Sequence, residues 1–261
     1  MKVVILCGGK GTRIREETEF RPKPMMPIGN YPILWHIMKI YSCFNYKEFI
    51  LCLGYKGEMI KEFFRNYQWH TRDVALRIGT NIGVTFLNGE NDEDWDITLA
   101  NTGENSMTAY RVRMIKKYLD RDQDFMLTYG DGVGNIDIPE LLKYHKKAGK
   151  VCTLTGVHPP GRFGELSIGK SGDAVAFNEK PQAEGGYING GFMVCNKRIF
   201  DYLPDDSAVM LESIPMKRLA QDRELAVFKH EGFWQPMDTY PEFSLLNRLW
   251  DSGKAPWKTW G

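Results

Sequence analysis

This 261-residue sequence predicts an α/β fold: a mixed central sheet flanked by helices, with a small C-terminal lid or oligomerisation portion. Three observations carry that reading. A β-branched apolar run, Val3 to Cys7, opens the chain and is bounded by Gly8 and Gly9, as expected of a strand buried on both faces of a parallel sheet. Helical spacing of apolar residues then alternates with further short apolar runs, which is the βαβ pattern. From Val151 the character changes to short strand-like runs cut by turn residues.

In chain order, residues 31–44 place Ile33, Leu34, Ile37, Met38, Ile40, Tyr41 and Phe44 at helical spacing, and Phe49–Leu53 returns as a buried strand. His36, on that helix, reads as a surface or core-edge residue rather than a ligand. Met59, Ile60, Phe63, Phe64 and Tyr67 mark a second amphipathic helix. The stretch 88–104 holds six acids and no base, and reads as a solvated acidic loop. Asp124–Tyr129 is a later strand ending at Gly130-Asp131-Gly132. The runs Val151–Val157, Glu165–Ile168, Ala174–Phe177 and Tyr187–Cys195 follow, separated by Pro-Pro-Gly-Arg, Lys-Ser-Gly-Asp and Gly-Gly turns, and suggest a mixed sheet or lid. A helical tail with Leu245, Leu246, Leu249 and Trp250 closes the chain, where Trp250, Trp257 and Trp260 leave room for an oligomer contact.

Composition excludes several classes. A net charge of +1 gives no electrostatic case for a nucleic-acid or membrane surface, and the longest apolar runs fall far short of a bilayer span of about 20 residues. The five cysteines are odd in number, far apart and mostly inside apolar runs, as expected of reduced thiols in the cytoplasm. The N-terminus has no signal-peptide pattern, and the five histidines show no zinc spacing.

The chemistry concentrates in three places. Gly8-Gly9-Lys10-Gly11-Thr12-Arg13 follows the first strand, where glycines let backbone N–H groups approach a polyphosphate and a cation offsets its charge. It lacks the Gly-Lys-Ser/Thr of a Walker loop. It also lacks the third glycine of a dinucleotide fingerprint, since Ile14 stands there, and Tyr31-Pro32 occupy the region where the ribose-binding acid belongs; both count against a nicotinamide-dependent dehydrogenase. Next, Pro22 and Pro24 flank Lys23 and hold it in an extended, rigid segment as a fixed phosphate counter-charge. Finally, Asp131 lies past the carboxyl end of a buried strand, well placed for Mg²⁺, and Asp238 can supply a second hard oxygen, although an aspartate in a glycine turn is also an ordinary turn former.

With its Gly-Gly-x-Gly-Thr-Arg loop and Pro-Lys-Pro segment, followed in order by Gly130-Asp131-Gly132, Glu179-Lys180-Pro181 and Ile188-Asn189-Gly190-Gly191-Phe192, the chain resembles the sugar-nucleotidyltransferase family over essentially its whole length. Long stretches such as residues 33–38, 159–164, 232–239 and 253–260 narrow the resemblance to the cytidylyltransferases of that family. The resemblance implies the Rossmann-like nucleotide-diphospho-sugar transferase fold in one domain, residues 1–150 forming its nucleotide-binding half and 151–261 its sugar-binding and C-terminal half. The implied reaction joins CTP to a sugar 1-phosphate, glucose 1-phosphate first, giving a CDP-sugar and pyrophosphate in a homo-oligomer; another sugar or polyol phosphate, or a non-catalytic nucleotide-binding homologue, is the alternative.

By resemblance, Leu6, Gly8, Gly9, Lys10, Gly11, Thr12, Arg13, Lys23, Thr102, Gly103, Ser106, Thr108 and Arg111 bind the nucleotide, with Arg13 and Lys23 as the catalytic charges. Gly164, Glu179, Lys180, Asn189 and Glu212 bind the sugar phosphate, and Asp131 and Asp238 bind Mg²⁺. Three departures from the family pattern stand out: Ala109-Tyr110 replaces a Gly-Gly pair, adding bulk near the expected pocket; Ile214 replaces a second glutamate after Glu212; and Phe20-Arg21 replaces a Val-Lys.

Overall fold

The computed structural model describes residues 1–9, 11, 19–79, 82–87, 93–119, 122–159, 165–168, 174–178 and 186–260, and of 165–168 and 174–178 the backbone alone. Numbered in chain order, the first strands are β1 (Val3–Leu6), β2 (Pro27–Ile28), β3 (Tyr31–Pro32), β4 (Glu48–Leu53), β5 (Val74–Arg77), β6 (Gly83–Phe86) and β7 (Asp96–Asn101). Then come β8 (Asp124–Tyr129), β9 (Gly132–Gly134), β10 (Cys152–Val157), β11 (Glu165–Ile168), β12 (Ala174–Asn178), β13 (Ile188–Asn196), β14 (Leu225–His230) and β15 (Trp234–Pro236). The helices are α1 (Ile33–Ser42), α2 (Gly57–Arg65), α3 (Tyr67–Thr71), α4 (Thr108–Met114), α5 (Ile138–Ala148), α6 (Ile214–Gln221) and α7 (Tyr240–Asp251).

Seven strands form one central sheet in the order β14-β10-β13-β8-β1-β4-β7. Only β13 runs antiparallel to its neighbours; the other pairings are parallel. The sheet takes strands from both halves of the sequence. The short apolar strand β1 explains its own place: Val3 and Ile5 join the core on one face, Val4 and Leu6 the core on the other, so period-2 alternation feeds two apolar layers at once. At roughly 1.5–3 kcal/mol for each fully buried aliphatic side chain, such a strand is stable only in the middle of a sheet covered on both faces. Helix α1 and the C-terminal segment with Leu246 and Trp257 cover one face, and α4 with α6 covers the other.

Connections run from β1 to β4 on one side, and the chain later returns to place β8 on β1's other side. A crevice opens at such a reversal, outside the carboxyl ends of the strands.

The structure corrects three expectations. Residues 96–101, inside the acidic stretch, are edge strand β7, paired in register with β4; Trp95, Ile97 and Leu99 pack on the core while Asp94 and Asp96 stay exposed, an alternation hidden by the acids. His36 is fully buried rather than at a core edge: its Nε2 donates to the Ile28 carbonyl at 3.0 Å and its Nδ1 accepts from Trp257 Nε1 at 3.4 Å. The tail tryptophans fold onto their own chain around that imidazole, with Trp250 edge-on to it at 4.5 Å and Trp257 wholly buried. Apolar exposure lies instead on the β5–β6 hairpin, where Ile78 and Ile82 are 89% and 83% exposed beside exposed Leu76 and Val84.

Burial lowers the His36 pKa to about 4, only partly opposed by the bond to Ile28. The folded-state pKa thus lies below the unfolded value of about 6.5, so the unfolded chain binds the extra proton and stability is lost as pH falls below 6.5. Urea unfolding at pH 7 and pH 5 should show the wild type losing ~2 kcal/mol more than His36→Gln over that interval; equal losses would show that His36 is not held neutral.

Candidate active site

The carboxyl ends of β1 and β8 face a cavity of about 340 Å³. Leu6, Gly8, Gly9 and Gly11 form one wall, and Tyr129, Gly130 and Asp131 another. Thr108 and Arg111 come from α4 and Ser106 from the segment just before it, Glu212 and Asp238 from the second half of the chain, and Lys23 from the segment between β1 and β2. Of the residues expected to bind ligands, the structure therefore gathers eleven around one space. Lys10, Thr12, Arg13, Gly164, Glu179 and Lys180 lie outside the described residues.

Lys23 sits on a single 3₁₀ turn, Lys23–Met25, rather than in an extended run; Pro22 enters it in an extended conformation and Pro24 stiffens it. Its Nζ lies 2.7 Å from Asp131 Oδ2 and also hydrogen-bonds Asp238 Oδ1. Burial disfavours the ammonium, but Asp131 and then Asp238 outweigh it and hold the Lys23 pKa above its ordinary value.

The two aspartates meet because β9 and β15 pair antiparallel, Gly132 opposite Pro236, and because the Met237 N–H donates to the Asp131 carbonyl at 2.8 Å. Asp238 stands just before α7, where Glu242 Oε2 accepts from the Asp238 and Thr239 N–H groups at 2.7 and 2.8 Å. Two hard carboxylate oxygens already converge on one cationic nitrogen. That donor set fits Mg²⁺, which takes one or two carboxylates and completes its octahedron with water and phosphate oxygens. No group of three or more metal-binding side chains occurs among the described residues.

Arg111 is buried, and its guanidinium donates to the carbonyls of Gly8, Leu53, Gly103 and Glu104 and to Thr102 Oγ1, at 2.8–3.3 Å. It ties together the segments that leave β1, β4 and β7. A Cβ on Gly8 or Gly54 would lie 2.1 or 2.5 Å from that guanidinium, so both positions need glycine to admit it. Thr102 and Gly103 do not line the cavity; they are the shelf that Arg111 grips, and Gly103 has φ +93° with Ser106 Oγ 2.4 Å from where a Cβ would sit.

Thr108 Oγ1 donates to Glu212 Oε2 at 2.9 Å and accepts from the Leu211 N–H at 2.7 Å, joining the two halves of the cavity wall. Glu212 also accepts from Tyr129 OH, which takes a bond from Asn189 Nδ2 at 3.3 Å. Burial, and then Glu212, raise the Tyr129 pKa and keep it a neutral donor. Asn189 reaches the cavity only through Tyr129, which sequence reasoning missed; its place as the last residue of β8, directly before Gly130-Asp131, was the available signal.

The departures from the family pattern lie off this space. One helical turn brings Thr108 and Arg111 to the cavity and sends the residues between them elsewhere: Ala109 is buried in the core and Tyr110 does not line the cavity, while Ile214 and Phe20, on other segments, are exposed. The expected added bulk is absent from the pocket that the described residues form.

A nucleotidyl transferase family model matches residues 2–243. The glucose-1-phosphate cytidylyltransferases of Salmonella typhimurium and Salmonella typhi are each 49% identical to the chain over 260 residues, covering all of both sequences. Among solved structures, HddC from Yersinia pseudotuberculosis superposes with a TM-score of 0.65 at 19% identity, covering 95% of this chain and 99% of that one, which shows a common fold.

Replacing Arg111 by lysine should lower the midpoint of thermal unfolding by several degrees without any nucleotide present. Lysine cannot satisfy five oxygens, and each charged hydrogen bond contributes about 1.5–3 kcal/mol. An unchanged midpoint, read by circular dichroism, would make Arg111 a ligand contact alone. With its family model spanning nearly the whole sequence and full-length relatives at 49% identity, the chain belongs to the nucleotidyl transferase family.

Proposed function

We propose that the chain joins CTP to glucose 1-phosphate, releasing pyrophosphate and a CDP-sugar. The observation that carries this reading is the convergence of a glycine turn, one lysine and two carboxylates on a single cavity, in a chain 49% identical over its full length to a glucose-1-phosphate cytidylyltransferase.

An oxygen of the sugar phosphate attacks the α-phosphorus while pyrophosphate departs, so the protein's work is to hold two anions in line and offset their charge. Gly8 and Gly9 allow the backbone to approach the polyphosphate, and Gly11 turns at φ +61° beside them. Lys23 supplies positive charge from the cavity wall, and Arg13 and Lys10 are proposed to add more. Mg²⁺ bound at Asp131 and Asp238 would neutralise phosphate charge as the bond to the leaving group breaks. On the sugar side, Tyr129, Asn189 and Glu212 form a hydrogen-bonded set suited to hydroxyls, with Gly164, Glu179 and Lys180 proposed to complete it. The departures from the family pattern stay off the part of the cavity that the described residues form, which supports glucose 1-phosphate as the acceptor.

A cytoplasmic setting is supported by five free cysteines, four of them buried, and no helix among the described residues is long and apolar enough to cross a membrane. Self-association is supported by the exposed apolar face of the β5–β6 hairpin rather than by the tail tryptophans.

Pyrophosphate release, measured with each of the four nucleoside triphosphates against glucose, mannose and galactose 1-phosphates, should be fastest with CTP and glucose 1-phosphate and should stop on chelation of divalent ions. Asp131→Ala and Asp238→Ala should each lower turnover by roughly 10²-fold or more with the fold intact. Equal rates with UTP would contradict the nucleotide, and full activity in either alanine variant would remove that residue from the site.

A further inference from the structure

The geometry points to a second role for Lys23: it holds the place of the divalent cation between Asp131 and Asp238, and it must leave them before that cation can bind. This rests on the proposed metal reading of the two aspartates. Lys23 Nζ is within hydrogen-bond distance of one oxygen of each carboxylate, 2.7 Å for Asp131, and its side chain is only 10% exposed. Two carboxylates drawn this close by the β9–β15 ladder repel one another unless a cation lies between them. The ammonium meets that need in the ligand-free protein.

An Mg²⁺ ion stands at about 2.0–2.1 Å from its oxygen ligands. An ion bound to the same two oxygens would overlap the ammonium, and a +2 charge beside a +1 charge in a partly buried site is repelled. The two cations therefore exclude each other. The flexible four-carbon stem lets the lysine swing, and Gly8, Gly9 and Gly11 lie in the same cavity, where a polyphosphate would sit. A nucleotide thus draws Lys23 off the aspartates with its own negative charge and opens them to the metal. Nucleotide and metal affinities become coupled, each raising the other, through a single side chain.

Binding of Mn²⁺, followed by the electron paramagnetic resonance signal of the free ion, separates this proposal from the reading beneath it. Without nucleotide, Lys23→Met should bind Mn²⁺ at least about tenfold more tightly than the wild type, because a competing positive charge is gone. A non-reacting CTP analogue with a methylene between its α and β phosphorus atoms should tighten Mn²⁺ binding in the wild type and do so much less in Lys23→Met. If Lys23→Met binds Mn²⁺ no more tightly than the wild type while Asp131→Ala loses binding, the aspartates hold the metal and the place-holding role of Lys23 is overturned. If Asp131→Ala binds Mn²⁺ as the wild type does, the metal reading fails and takes the proposal with it. Should Lys23→Met not fold, the wild type itself decides: the Cε resonance of Lys23, in ¹³C-labelled protein, should shift when Mg²⁺ binds without nucleotide, and a bound ion that leaves it in place overturns the exchange.

Discussion

The site hangs on one buried guanidinium. Where parallel strands end, their last carbonyls lose their ladder partners, and past the ends of β1, β4 and β7 those oxygens converge on one point beside the cavity. Arg111 answers them with five hydrogen bonds, among them to Gly8, Leu53 and Thr102, and no carboxylate is among these partners. A charge held this way serves as scaffold. It also dictates sequence at a distance: Gly8 and Gly54 are glycines because the guanidinium lies against both. The glycine turn after β1 thus has two duties, admitting the arginine on one side and leaving its backbone open to the cavity on the other.

A second constraint closes the cavity from the opposite wall. The β9–β15 ladder joins segments about a hundred residues apart and leaves Asp131 and Asp238 side by side, with Lys23 between them. Glu242, at the start of α7, fixes the backbone of Asp238. The cavity consequently belongs to neither half of the sequence. Arg111 organises the wall at the ends of β1, β4 and β7, the aspartate pair with Lys23 the facing wall, and the Thr108–Glu212–Tyr129 bonds join α4 to the second half of the chain.

The elements legible in the sequence were those whose signal is local. Val3–Leu6, Asp124–Tyr129 and the helix from Ile33 announce themselves by apolar spacing, and the glycine turn, Lys23 and Asp131 by their place after a strand or between prolines. What stayed hidden is non-local. The acids on β7 mask its half-buried alternation, and nothing in the residues flanking His36 tells that Trp257, more than two hundred positions later, donates to it. Arg111 reads as one more cation for an anionic ligand until the three strand ends that it joins are seen together. Tyr129 is hidden because an aromatic residue closing a buried strand looks like core, and its hydroxyl finds its partners, Glu212 and Asn189, only in the folded chain.

In this account the protein positions two anions for one direct displacement and forms no covalent intermediate of its own. The most direct measurement is the stereochemical course at the α-phosphorus, using CTP made chiral by sulfur at that position and analysing the configuration of the CDP-sugar. A single in-line attack predicts inversion; retention would show two displacements through a protein-bound nucleotide and would contradict the account.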